Sequence, residues 1–372
     1  MSRLGRFAFV LLLTLAPLGA HHSMAAAYDD KKPVTLKGIV TKFDWANPHV
    51  YVFLDVTDGQ GNIQNWGCEM ESRVQLKRVG WTRDSLALGD EVTVEGSAAR
   101  DGSKQIGAKL VVLASGKKLS AEEPPPPVRA KSSGSAPRWP DGHVRLGPAP
   151  GEIGYWAHPS TGALVESTAA NVRINREGLL QNIADADRVA PFLPWAKGLY
   201  IYRQKNLLKD DPMASCLPPG GPRQFQAAGG IQIVEQPERK RVFVMSGGGN
   251  RNWRLIDTDG RTPQEGDDVS PTYYGHSVGH WEGDTLVIDA VAFNERFWFT
   301  NGGLPHTENL RLREKISRPD LNSLKYEVTV TDPGAYTRPW TGSWTLQWVP
   351  GQEIEEYFCD DYNRDGERGD SH

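Results

Sequence analysis

Apolar and polar residues alternate along most of this chain, and the alternation predicts a mainly β protein. In the first third, "VTLKGIVTKFDW" (34–45) reads as a strand, and "HVYVFLDVTDGQGN" (49–62) as a second that ends in a turn. "IQNWGCEME" (63–71) is a third. "SRVQLKRVGW" (72–81) carries a short helix with Ser72 placed as its N-cap. "GDEVTVEGSAARDG" (89–102) and "QIGAKLVVL" (105–113) form a closing hairpin. Five strands with a helix after the third is the order of an OB-like barrel, here spanning 21–114.

The second part, 143–372, opens with loops and a helical lead-in to about residue 215. "APFLPWAKGLYIYRQKNLLKDDP" (190–212) has apolar residues at helical spacing and stops at Pro212. Nine short strands are then expected, from "IQIVEQ" (231–236) through "HTENLRLREKI" (306–316) and "WTGSWTLQW" (340–348) to "EIEEYFC" (353–359). Asp259-Gly260 and Gly283-Asp284 are expected turns between them. The succession predicts a larger antiparallel barrel or sandwich. Between the two parts, 115–142 contains "AEEPPPPVRAKSSGSAPRWPDG", a Pro/Ser-rich linker that builds no core.

Composition adds location. Arg3 and Arg6 precede an apolar run, Phe7 to Ala16, that is too short to span a bilayer. Pro17 and "LGA" then read as the end of a signal peptide, 1–20; a second cleavage site after Ala27 lies too far from the run. Export to the periplasm or beyond is therefore expected, with no stable membrane insertion. Loss of the two arginines moves the formal charge from -4 to -6, a mild balance that argues against a nucleic-acid partner. An oxidising compartment permits one disulfide among the three cysteines. Cys216 and Cys359 flank the expected second barrel and are the expected pair, which leaves Cys68 free.

Several faces suggest chemistry. Trp340, Trp344 and Trp348 share one strand face, which reads either as core or as a stacking wall for a sugar or partly apolar ligand. Trp298 is a further candidate for that wall. His276 and His280 share a strand face roughly 13 Å apart at ~3.3 Å per residue, too far to hold one ion together, though either could meet a ligand. His306 and Glu308 are two apart in an expected strand, with Gly302 and Gly303 before them. A histidine beside a carboxylate suits acid–base chemistry near neutral pH.

Cleavage after Ala20 would begin the mature chain at His21, whose amine and imidazole form a ready chelate for copper. His49 is a candidate third ligand. Met24, Cys68 and Met70 are softer candidates, and Cys68 with Met70 would suit Cu(I). Other patterns fail. "DYNRDG" lacks the Glu that a calcium loop needs at its twelfth position. "SGGGN" lacks the lysine and helix of a phosphate loop. "GHSVG" lies in an all-β context that excludes a nucleophile elbow.

"AHHSMAAAYDDKKPVTLKGIVTKFDWANPHVYVFLDV", together with "GDEVTVEG", resembles an uncharacterised proteobacterial family of small exported proteins. "DDPMASCLPPGGPRQF", "WEGDTLVID", "NERFWFTNGGLPHTENL" and "DPGAYTRPWTGSWTLQW" resemble a second uncharacterised exported group. The resemblance implies export, two domains and a β-rich second half, and it supplies no catalytic residues. The leading expectation is an exported protein that binds a small, partly apolar or sugar ligand in its Trp-rich domain. An enzyme (a lyase, isomerase or hydrolase) using His306 and Glu308, or copper binding through His21, are the alternatives.

Overall fold

The structure, a computed structural model, describes residues 24–46, 49–122, 134–159, 164–167, 169, 171–175, 177–226, 229–248, 253–266, 268–355 and 359. The expected signal peptide, His21 and the middle of the Pro/Ser-rich stretch lie outside these residues.

A four-residue helix α1 (Met24–Ala27) leads into the long strand β1 (Tyr28–Asp44). Then come β2 (Tyr51–Thr57), β3 (Ile63–Glu69), helix α2 (Arg73–Arg78), β4 (Glu91–Ala99), β5 (Gln105–Leu113) and β6 (Lys118–Ser120). β1 pairs antiparallel with both β2 and β4; β2 continues to β3 and β4 to β5. β3 then meets β5 in parallel, and the five strands close in the OB order. Alternation in β2 and β4 sends Val52, Leu54, Val92 and Val94 inward, where they pack with Ile106, Met70, Leu76 and Trp81. Ser72 caps α2: its Oγ accepts from the Gln75 N–H at 3.4 Å.

β6 pairs with β5, and Leu119 and Ala121 are buried in this core. The first body therefore extends past residue 114, into the stretch that composition assigns to a linker. At its far end that stretch also packs: the Trp139 indole donates to Glu235 at 3.0 Å, and Arg138 pairs with Asp284. Proline and serine content marked the segment without marking where its ends attach.

The second body begins with β7 (Gly154–Trp156) and helix α3 (Pro194–Lys205). Eight further strands follow: β8 (Ile231–Gln236), β9 (Arg241–Ser246), β10 (Trp253–Asp257), β11 (His276–Glu282), β12 (Thr285–Val291), β13 (Arg311–Ser317), β14 (Ser323–Thr331) and β15 (Trp340–Pro350). They form a closed nine-stranded barrel in the order β10-β11-β12-β13-β14-β15-β7-β8-β9. The ninth strand is β7, from the lead-in, and not "EIEEYFC", whose described residues carry no strand. α3 ends at Lys205, short of Pro212, because Leu207 and Leu208 take positive φ. The β11–β12 hairpin turns at Gly283-Asp284 as expected. Asp259-Gly260 does not make a hairpin: 258–275 crosses over, so β10 and β11 run parallel.

The lead-in fills the barrel. A 3-10 turn, Gly221–Gln226, is buried throughout, and the Phe225 ring stacks on Tyr326 at 4.2 Å. Cys216 and Cys359 are joined by a disulfide, which ties the lead-in to the end of the barrel chain. Cys68 is free and buried. The two bodies touch at the last turn of α2, where Arg78 donates to the Gly229 carbonyl at 3.2 Å and lies over the Tyr155 ring. Among the described residues no helix is long and apolar enough to cross a membrane.

Candidate functional site

A cleft of about 370 Å³ lies on the outside of the β10–β11 seam of the second barrel. That volume lies within the range of small-molecule sites. Five residue pairs join β10 to β9, but two join it to β11, Ile256 to Ser277 and Asp257 to Val278. The crossover explains the short seam: β11 is delivered from a long loop, so the strands meet at one end and part at the other. Gly275 turns the chain into β11 at φ +64°, where an added Cβ would lie 2.6 Å from the Val291 carbonyl oxygen. This close approach sets His276 on the cleft wall.

Trp253 and Leu255 line the cleft from β10, and His276 and Val278 from β11. The crossover adds Arg261, Thr262, Gln264, Thr272 and Tyr274. Trp253 is 59% exposed. His276 Nε2 lies 3.3 Å from the Ser270 carbonyl. Charges along the wall are paired off. Asp257 accepts from Arg241 at 3.1 Å and from Arg261 at 3.0 Å. Arg261 also bonds Asp259, whose carboxyl it holds at about 2.

Below the wall, Arg254 points into the barrel. Its Nε donates to Ser277 Oγ at 2.9 Å, and its two Nη atoms grip both oxygens of Glu314. Glu314 also accepts from the Tyr326 hydroxyl at 2.6 Å. Tyr274 Oη and Ser246 Oγ are both buried and lie beside one another. Sequence reasoning missed both Arg254 and Trp253. The signal was strand phase: Arg254 is in step with inward Ile256, and Glu314 with inward Leu312 and Ile316.

The Trp stripe is core. Trp344 stacks on Tyr326 at 5.6 Å, and Trp340 packs on Tyr336 and Phe299. The Arg318 guanidinium lies over both the Trp156 and Trp348 rings, 4.8 Å from each, and the two rings meet edge to face at 4.9 Å. Burial drops the Arg318 pKa to about 10, and the guanidinium donates hydrogen bonds to the backbone carbonyls of Gly147 and Leu321. The expected stacking wall is corrected accordingly: with Phe225 inserted, the barrel interior leaves these rings facing protein. Trp298 is likewise 4% exposed, beneath Arg203.

His306 and Glu308 do not form a pair. Both precede β13, in a loop and not a strand, so the two-residue spacing does not align them. His306 is buried between Phe297 and Phe299, and its Nε2 donates to the Phe297 carbonyl at 2.9 Å. Burial lowers its pKa, which keeps it neutral. Glu308 is exposed. The carboxylate that organises this loop is Asp332, which accepts from Thr307 and Gly334. His276 and His280 do share the outer face of β11, but His280 pairs with Glu282 away from the cleft.

In the first body, His49 precedes β2 and its Nδ1 bonds the buried Glu69 at the end of β3. The Tyr28 hydroxyl donates to the other Glu69 oxygen at 2.5 Å. Burial opposes both charges, yet each stabilises the other. The His49 pKa is raised by Glu69, with Glu71 adding to it, and Glu69 is held at about 2 by His49, Tyr28 and Tyr51. Cys68 and Met70 are fully buried, and burial pushes the Cys68 thiol up to about 12. Among the described residues no group of three His, Cys, Asp or Glu is placed to hold a metal.

No curated protein matches the chain. Residues 10–108 match the model of a family of unknown function, DUF6152, a span that takes in the first body as far as β5.

Proposed function

We propose that the protein is exported and binds a small, neutral, ring-bearing molecule such as a sugar in the β10–β11 cleft. The observation that carries this reading is Trp253, an indole more than half exposed on the rim of a concave wall that also presents polar side chains. Large exposed aromatics beside a cleft are stacking surfaces for sugar faces. Asp257, Arg261, Gln264, Thr272 and His276 supply donors and acceptors for hydroxyls. The charges pair within the protein, which favours a neutral ligand over an ion. Isothermal titration with a panel of methyl glycosides tests the reading. A binder whose affinity falls at least about tenfold in Trp253→Ala, with an unchanged unfolding midpoint, supports it. No binder in the panel, or equal affinity in the variant, removes it.

Copper binding through His21 is the second reading, and His49 favours it. A buried carboxylate that fixes one imidazole nitrogen is the usual support for a metal-ligating histidine. Glu69 does this for Nδ1, and Nε2 makes no hydrogen bond to the described residues. The chain start is close in sequence: Tyr28, which also holds Glu69, is seven residues after His21. Native mass spectrometry of the protein from its own cells decides. A mature mass that begins at His21 and carries one copper, lost in His49→Ala, supports the site. A metal-free His21 start, or a start at Tyr28, removes it.

A further inference from the structure

Trp253 belongs to the cleft and also to an apolar band on the outer face of the barrel. Register places Met245 of β9 opposite Trp253, and Phe243 opposite Leu255. On the next strand Val234 lies opposite Phe243. All five side chains fall in the outward phase of their strands. Met245 is 38% exposed, and the Phe243 and Trp253 rings lie 6.3 Å apart. The outward phase of an antiparallel barrel exposed to water is normally polar. Here the next row along the same strands obeys that rule, with Gln236, Arg241 and Asp257 in register. On β9 and β10 the outer surface thus divides within one strand step, charged beside Asp257 and apolar from Leu255 to Trp253, and Gln232 of β8, opposite Met245, bounds the band on its far side.

The boundary falls inside the cleft. Asp257, Leu255 and Trp253 are successive outward residues of β10, and all three line it. A molecule seated there meets polar groups at the Asp257–Arg261 end and leaves over Trp253 onto Met245 and Phe243. We infer that the cleft takes an amphiphile, a neutral polar headgroup joined to an alkyl or acyl chain that lies along the Trp253–Met245–Phe243 band. This inference rests on the proposed cleft function and narrows its ligand class. The apolar band has this occupant because it shares Trp253 and Leu255 with the cleft.

Matched methyl and n-octyl glycosides, the latter below their micellar concentration, are the probes, titrated into the full protein. Burial of several methylenes predicts octyl binding at least about tenfold tighter than methyl. Phe243→Ser with Met245→Ser should abolish that ratio and leave methyl glycoside affinity unchanged. Both positions face outward, so the double variant should fold; each single variant should halve the effect on a logarithmic scale. Equal affinity for the two chain lengths overturns the inference while leaving the cleft reading in place. An octyl preference that survives in the double variant overturns it too. Loss of a dimer in that variant without a change in the octyl-to-methyl ratio would show that a second copy covers the band, and would also overturn it. If neither glycoside binds, both the inference and the cleft reading fall.

Discussion

Arg254 on β10 and Glu314 on β13 meet inside the second barrel as a two-pronged ion pair, with Nη–Oε distances of 3.0 and 2.5 Å and side chains at 1% and 0% exposure. Ser277 and Tyr326 complete the set of bonds, so strands β10, β11, β13 and β14 are tied through one buried polar knot. The β10–β11 seam has only two backbone pairs, and the Arg254–Ser277 bond spans it. The knot therefore holds the floor of the cleft where few backbone pairs join the strands.

Removal of one partner leaves an uncompensated buried charge. Glu314→Leu or Arg254→Met should each cost about 3–5 kcal/mol, and the double variant should recover most of it. Urea unfolding of the three variants measures this. Equal losses in the single and double variants would show that shape, and not charge, is what the pair supplies.

The His49–Glu69 pair makes the first body pH-dependent. His49 is raised above its ordinary 6.5, so its contribution is complete below that value and is lost as pH rises through the higher folded one. Glu69 is held at about 2, so its contribution is present above its ordinary 4.5 and is lost as pH falls towards 2. Stability from this pair should peak between those two ordinary values. Glu69→Gln should flatten the profile and lower its maximum by about 1–3 kcal/mol. A pH series of unfolding midpoints checks both effects.

His306 carries the opposite sign. Its pKa is lowered by burial, so the folded state favours the neutral ring, and its contribution is lost as pH falls below 6.5. His306→Ala should cost about 2 kcal/mol, through a lost buried hydrogen bond and ring packing, and Glu308→Ala should stay within about 0.5 kcal/mol. Urea unfolding of the two variants measures both losses, and similar losses would show that Glu308 also holds the loop.

The cysteines separate cleanly. Reduction of Cys216–Cys359, which closes 143 residues, should destabilise the second body by about 3–5 kcal/mol. Cys68 should stay silent to a thiol reagent in the native protein and react once on unfolding, because its thiol is buried and its pKa stands near 12.

Trp344→Ala should cost about 3–5 kcal/mol by opening a cavity against Tyr326, without changing methyl glycoside affinity in any variant that still folds. Trp253→Ala should do the reverse. Thermal unfolding and titration of the same two proteins distinguish a packing tryptophan from a binding one.

Local pattern carried the elements of this protein. Period-two alternation located β1 to β5 and eight strands of the second barrel, Ser72 marked a helix start, and the placement of Cys216 and Cys359 anticipated their bond. Each of these is set by residues near one another in the chain, or by which side of a strand must leave water. Partnership across the fold was decided elsewhere. β7 closes the barrel from 75 residues before β8, a segment of three residues with no periodicity to read. Phe225 turns the Trp344 face from a cavity wall into packing, because whether a barrel is hollow depends on what another segment inserts. The crossover 258–275 makes β10 and β11 parallel and opens the cleft, where a hairpin would have sealed it. An aromatic stripe has the same alternation whether it meets a ligand or a neighbouring strand, and only the packed chain determines which of the two it meets.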